Sequence, residues 1–162
     1  MVFGISLMTF TYLHVALSLI GIGAGLTVVI GMINRRRLVA VTALFLITTA
    51  LTSLTGFLFP FKGMTPGIVI GILSIIALVL AVLARRRVQT SDVWRGTYVI
   101  TSVLALFFNF FVLIVQSFRN ISTLHALAPT QTELPFKVAQ LAALVLFGVL
   151  GTLAFRKFHL AE

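Results

Sequence analysis

The chain has no cysteine, and its 162 residues include only three acidic side chains, Asp92, Glu133 and Glu162. Without cysteine there is no disulfide framework, no thiol redox chemistry and no thiolate metal site. The three carboxylates lie far apart, each outside the apolar runs. Paired-carboxylate hydrolysis and carboxylate-bridged metal clusters therefore lack their raw material, and no other catalytic set stands out. Charged residues make up 9% of the chain, against roughly 25% in an ordinary soluble domain. What is present is apolar: 60% of residues are hydrophobic, and the mean hydropathy is +1.18. A chain this short has too much surface for its volume to hide that in a water-soluble core. A soluble globular enzyme and a disordered chain are both excluded. A polytopic membrane protein remains.

A hydrocarbon core of ~30 Å takes about 20 apolar residues in a helix. Five runs are long enough, at about 6–33, 38–60, 66–84, 94–118 and 135–155. In lipid every backbone polar group needs an internal partner, and continuous runs without period-2 alternation exclude a β-barrel. The fold expected is an all-α transmembrane bundle of five helices in a single domain, with four spans as the alternative. Punctuation supports the boundaries. Asn34 and Arg35-Arg36-Arg37 close the first run, and Pro60 ends the second. Thr65-Pro66 reads as N-cap and first-turn proline of the third. Ser91 or Asp92 caps the fourth, and Pro135 suits the first turn of the fifth. The first run exceeds a membrane's thickness, so Met1 to about Phe10 reads as an interfacial lead-in or a tilted extension.

The net charge of +9 comes from arginines and lysines at the span ends. With the N-terminus outside, nine basic residues fall on the inner side: Arg35, Arg36, Arg37, Arg85, Arg86, Arg87, Arg95, Arg156 and Lys157. Three fall on the outer side: Lys62, Arg119 and Lys137. The positive-inside rule then puts the N-terminus outside and the C-terminus inside. The basic charge is a topology signal in contact with anionic lipid head groups. Short turns offer no folded basic face with base-stacking aromatics, which excludes nucleic acid as partner.

Polar groups in hydrocarbon are costly unless paired, so they mark helix contacts or a site. His14, Ser18, Gly21 and Gly25 form one stripe on the first helix. Thr49, Ser53 and Gly56 form a row on the second, beside Thr48, Thr52 and Thr55, whose hydroxyls are expected to bond their own i−4 carbonyls. Gly67, Gly71 and Ser74 form a seam on the third. Ser102, Ala105, Asn109 and Gln116 share a face of the fourth, and Gln140 lies near the outer end of the fifth. In the expected topology His14, Asn109, Gln116 and Gln140 all fall in the outer half. Above them runs the longest connection, 119–134, whose Arg119, His125 and Glu133 belong to a lid or an interfacial segment.

Three functional readings follow. In the first, His14, Ser18, Asn109, Gln116 and Gln140 bind a small hydrophobic ligand or lipid in an outward-facing polar pocket. In the second, the protein is a redox subunit carrying haem b or a quinone on His14. His125 is the only other histidine available as a second haem ligand on that side. In the third, the polar groups only join helices in a structural partner subunit or homo-oligomer. No metal site is expected from the sequence. The phenylalanines of Phe107-Phe108-Asn109-Phe110-Phe111 read as apolar filling, and Trp94 as an interfacial belt residue.

The strings Leu13-His14-Val15-Ala16-Leu17-Ser18-Leu19-Ile20, Leu54-Thr55-Gly56-Phe57-Leu58-Phe59-Pro60-Phe61 and Leu124-His125-Ala126-Leu127-Ala128-Pro129-Thr130 resemble parts of small integral membrane proteins of proteobacteria. The resemblance covers nearly the whole chain. It implies a multi-pass protein of the bacterial inner membrane and implies no activity. His14 beside small residues is also faintly similar to cytochrome b561-type subunits. That pattern needs several helix-borne histidines, which this chain does not have.

Overall fold

The computed structural model describes residues 4–60 and 66–158, and the described residues are helical with short connections. The elements are α1 (Leu7–Ile33), α2 (Val39–Gly56), α3 (Pro66–Arg86), α4 (Asp92–Asn120), α5 (Ser122–Leu127) and α6 (Leu134–Lys157). All but α5 are long and apolar enough to cross a membrane, so the chain is a five-span helical bundle. Lys62, Thr65, His159 and Glu162 lie outside the described residues.

Local chemistry sets the boundaries. Ser6 caps α1 by accepting the Thr9 amide at 3.1 Å. The first run is therefore helical from Leu7, so Leu7–Phe10 continue the same helix as the rest of the span. With 27 residues in α1 and 29 in α4, both helices reach roughly 40 Å at ~1.5 Å per residue and exceed the hydrocarbon core. Ser91 caps α4, with Asp92 in its first turn, and a proline stands in the first turn of α6. Helix α2 ends at Gly56 rather than Pro60. The Phe57 and Leu58 amides turn back to the Leu54 and Thr55 carbonyls, tightening the last turn before the proline.

Helix α1 ends in a Schellman turn. The Arg36 amide donates to the Gly31 carbonyl at 2.8 Å and the Arg35 amide to the Met32 carbonyl at 3.1 Å. This places Arg35 in the left-handed region, at φ 58°.

Helices α1 and α2 pack as one hairpin and α3 and α4 as another. Helix α4 lies centrally, touching α1, α2, α3, α5 and α6. The core is tightest where Val29 and Met32 of α1 meet Phe45 of α2 and Val99 and Leu106 of α4. Gly21 and Gly25 permit the close approach. A Cβ on Gly25 would lie 2.6 Å from Leu106 Cδ1 and 2.8 Å from two ring carbons of Phe45. Helix α6 is peripheral, burying Ala143, Phe147 and Ala154 along one stripe while Val138, Leu141, Leu144 and Val145 face outward. Phe107, Phe110 and Phe147 interlock between α4 and α6, with centroids 5.4–5.9 Å apart for the two cross-helix pairs. These aromatics are core filling, as their sequence context suggests.

The antiparallel hairpins collect most of the basic residues at one end. The α1–α2 turn, the end of α3, the start of α4 and the end of α6 meet there, and Arg36, Arg37, Arg85 and Phe158 line a common cavity. Arg87 lies over the Trp94 ring at 5.0 Å, a cation–π contact suited to an interfacial tryptophan.

Candidate functional site

The polar side chains of the spans fall into separate groups. Near the ends of α1 and α2 remote from the arginine-rich end, His14 Nδ1 lies 2.8 Å from Thr55 Oγ1. The Thr55 hydroxyl itself donates to the Leu51 carbonyl at 2.7 Å. A carbonyl only accepts, and the threonine has one proton. Turning that proton toward His14 would leave two acceptor oxygens facing each other at 2.7 Å. Both contacts are satisfied only when His14 Nδ1–H donates to Thr55 and Thr55 donates to Leu51. Nδ1 therefore carries a proton, and in the neutral ring, the form that hydrocarbon favours, Nε2 is left with a lone pair. No described residue takes that lone pair. Phe59 packs edge-on against the ring at 5.1 Å, and Phe10 packs on Phe59 at 5.0 Å. Gly56 lies beside the ring: a Cβ there would be in ordinary contact with Cε1, at 3.7 Å.

Deeper in the bundle, Ser18 donates to Asn109 Oδ1 at 2.7 Å, and Asn109 Nδ2 donates to the Ser18 carbonyl at 3.4 Å. Both residues are buried, and Gly21 packs beside them against Thr48 and Thr49. Asn109 and Ser18 thus satisfy each other across α1 and α4. As expected from sequence, Thr48, Thr52 and Thr55 each bond an i−4 carbonyl. Ser53 donates to Ser74 at 3.2 Å and ties α2 to α3. Thr49 Oγ1, Ser102 Oγ and Gln140 Oε1 are buried with no hydrogen-bond partner among the described residues.

The remaining sequence candidates are dispersed. Gln116 is exposed and its Oε1 accepts from Asn120 of the same helix at 3.1 Å. It shares Asn109's face, two turns on, but lies outside the buried polar core. Gln140 donates to the Phe111 carbonyl at 3.4 Å and joins α6 to α4. His125 is exposed on α5, which packs on α4, whereas His14 belongs to the α1–α2 seam. The two imidazoles therefore belong to different packing contacts. Among the described residues, no group of three or more His, Cys, Asp or Glu side chains could hold a metal ion.

The 119–134 connection is built rather than loose. It contains the six-residue α5, too short for its periodicity to be read from sequence. Ala128 is fully buried, and Gln131 donates to the Val115 carbonyl at 2.8 Å. Glu133 accepts from the Thr130 amide and hydroxyl and from the Thr132 amide, at 2.8–3.1 Å. Desolvation acts to raise the Glu133 carboxyl, but these donors outweigh it and hold it below its ordinary value. Arg119 is exposed in the last turn of α4.

Comparison with known proteins finds no matching family model, no matching curated protein and no matching solved structure. The site's chemistry alone carries the functional reading.

Proposed function

We propose that the chain is a multi-pass protein of the bacterial inner membrane that holds a small hydrophobic ligand through a hydroxyl group on His14. Its N-terminus faces outward and its arginine-rich end faces the cytoplasm. The charge asymmetry of the two bundle ends supports this orientation. The observation that carries the reading is the His14–Thr55–Leu51 relay, which puts a proton on Nδ1 and supports Nε2 of the neutral ring as an acceptor. An ionisable side chain in a span is a site by default, because hydrocarbon penalises it. An acceptor nitrogen selects a donor. The ligand is thus a hydroxyl-bearing molecule, such as a quinol or a lipid with a free hydroxyl, in preference to a quinone carbonyl. Phe10 and Phe59 supply the apolar flank. Ser18, Asn109 and Gln140 serve as helix ties behind the site.

Mass spectrometry of small molecules co-purifying with the protein in mild detergent tests this. A hydroxyl-bearing lipid or quinol should be retained by the wild type and by Thr55→Ser, and lost from His14→Ala. Equal retention by His14→Ala, with only a lowered melting temperature, would leave His14 as a packing residue.

A further inference from the structure

At the end of the bundle remote from His14, the α1–α2 turn and the ends of α3, α4 and α6 enclose a cavity of about 40 Å³. A single water needs about 10–15 Å³, so the space admits a group of several heavy atoms. Arg36, Arg37 and Arg85 line it together with Thr42 and Tyr98. Thr42 and Tyr98 are each only 5% exposed, so their hydroxyls are desolvated. Arg85 Nη2 donates to the Val39 carbonyl at 3.3 Å, which holds its guanidinium at the cavity wall.

Among the described residues, no carboxylate lines this cavity. Among the described residues the only ion pair joins Arg95 to Asp92, at 2.9 Å. Glu133 is committed to Thr130 and Thr132 in the connection between α4 and α6. Three like charges on residues lining one small cavity repel one another, and an anion among them relieves the part that solvent does not screen. Their planar forks match tetrahedral oxyanions, which they hold bidentately. The α1–α2 turn brings Arg36 and Arg37 to the cavity at the cost of a left-handed Arg35.

We propose that this cavity binds a phosphate group, presented by an anionic phospholipid head group or by a free phosphate ester. The head group enters from the membrane interface, with its phosphate oxygens among the three arginines and its acyl chains along the bundle. The site is independent of the His14 ligand.

The experiment uses the full chain in an uncharged detergent at constant ionic strength. Dihexanoyl phosphatidylglycerol, dihexanoylglycerol and inorganic phosphate are titrated separately while the thermal midpoint is followed. Phosphatidylglycerol should raise the midpoint saturably, and dihexanoylglycerol, which lacks the phosphate, should not. Arg36→Gln and Arg85→Gln should each weaken the apparent affinity about tenfold, the scale of one charge-assisted contact. Arg156→Gln, outside the cavity, should leave it unchanged. A shift with phosphatidylglycerol alone identifies the lipid as the source, and an equal shift with inorganic phosphate identifies a free phosphate ester. If the variants do not fold, native mass spectrometry of the wild type decides, with one phosphatidylglycerol and no dihexanoylglycerol retained per chain. Equal effects of the two lipids, or equal weakening by Arg156→Gln, would overturn the proposal.

Discussion

Ser18 and Asn109 stand 91 positions apart in the chain, yet the serine hydroxyl donates to the asparagine Oδ1 at 2.7 Å. The two partners are not equivalent. A serine on a helix can fall back on its own i−4 carbonyl, while a buried amide has no such fallback. Ser18→Ala should therefore cost about 1–2 kcal/mol, because it strands the Asn109 carbonyl oxygen. Asn109→Leu keeps the side chain's shape and removes both polar atoms, so it should cost less, under about 1 kcal/mol. The double variant should be no worse than Ser18→Ala alone. Reversible unfolding in detergent micelles gives this order. If Asn109→Leu is the more damaging, the pair is not the tie described.

Two glycines on α1 should respond oppositely to alanine. At Gly25 the added methyl meets Leu106 and Phe45 inside 3 Å. Those side chains are 0% and 1% exposed, so neither can swing away. Gly25→Ala should destabilise by about 1–3 kcal/mol through overpacking. Nothing lies within 4 Å of a Cβ on Gly23, and Gly23→Ala should stabilise by up to about 1 kcal/mol through helix propensity. Melting temperatures of both variants in the same detergent test the pairing. Equal losses would mean that α1 and α4 are not in this close contact.

What a single helix states about itself was legible in the sequence. The steps of four, three and four among His14, Ser18, Gly21 and Gly25 put them on one face, and the last three are buried. The threonine row on α2 bonds its own backbone for the same reason: its chemistry is local. What depends on neighbouring helices was not legible. No pattern on α4 says that Asn109 meets Ser18 while Gln116 meets only Asn120. Counting basic residues by side located Arg36, Arg37 and Arg85 at one end. Their convergence follows from α1, α2 and α3 meeting there in space. His14 stood out as an ionisable span residue, but its tautomer follows from Thr55, which lies 41 positions away.

Arg35 occupies the left-handed position of the α1 Schellman turn, at φ 58°. Glycine takes that conformation freely, whereas a side chain there costs roughly 1–2 kcal/mol. Arg35→Gly should stabilise the fold by about 1 kcal/mol, since both turn hydrogen bonds use backbone atoms and persist. Arg35 does not line the cavity. Phosphatidylglycerol affinity should thus change far less than in Arg85→Gln. Melting temperature and lipid titration on one variant separate the two effects. A destabilised Arg35→Gly would mean that the arginine side chain contributes more than its backbone strain costs.

The Glu133 carboxylate gathers the Thr130 amide and hydroxyl and the Thr132 amide at the start of α6. Its folded-state pKa lies below the ordinary 4.5. A lowered carboxylate pKa means that the ionised form is favoured by the fold. The stabilisation is present above the unfolded value and is lost as pH falls through the folded one. Local order at Thr130 and Thr132 should be constant from about pH 8 to pH 5 and should loosen below about pH 4. The group is solvent-exposed, so global unfolding should not follow it. Hydrogen exchange at the two amides, corrected for intrinsic rates, reports the change directly. Glu133→Gln should show the loosened rate at every pH, because a neutral amide replaces the charged acceptor. Protection at pH 7 equal to wild type in Glu133→Gln would mean that the Gln131 bond to Val115 holds this connection without the carboxylate.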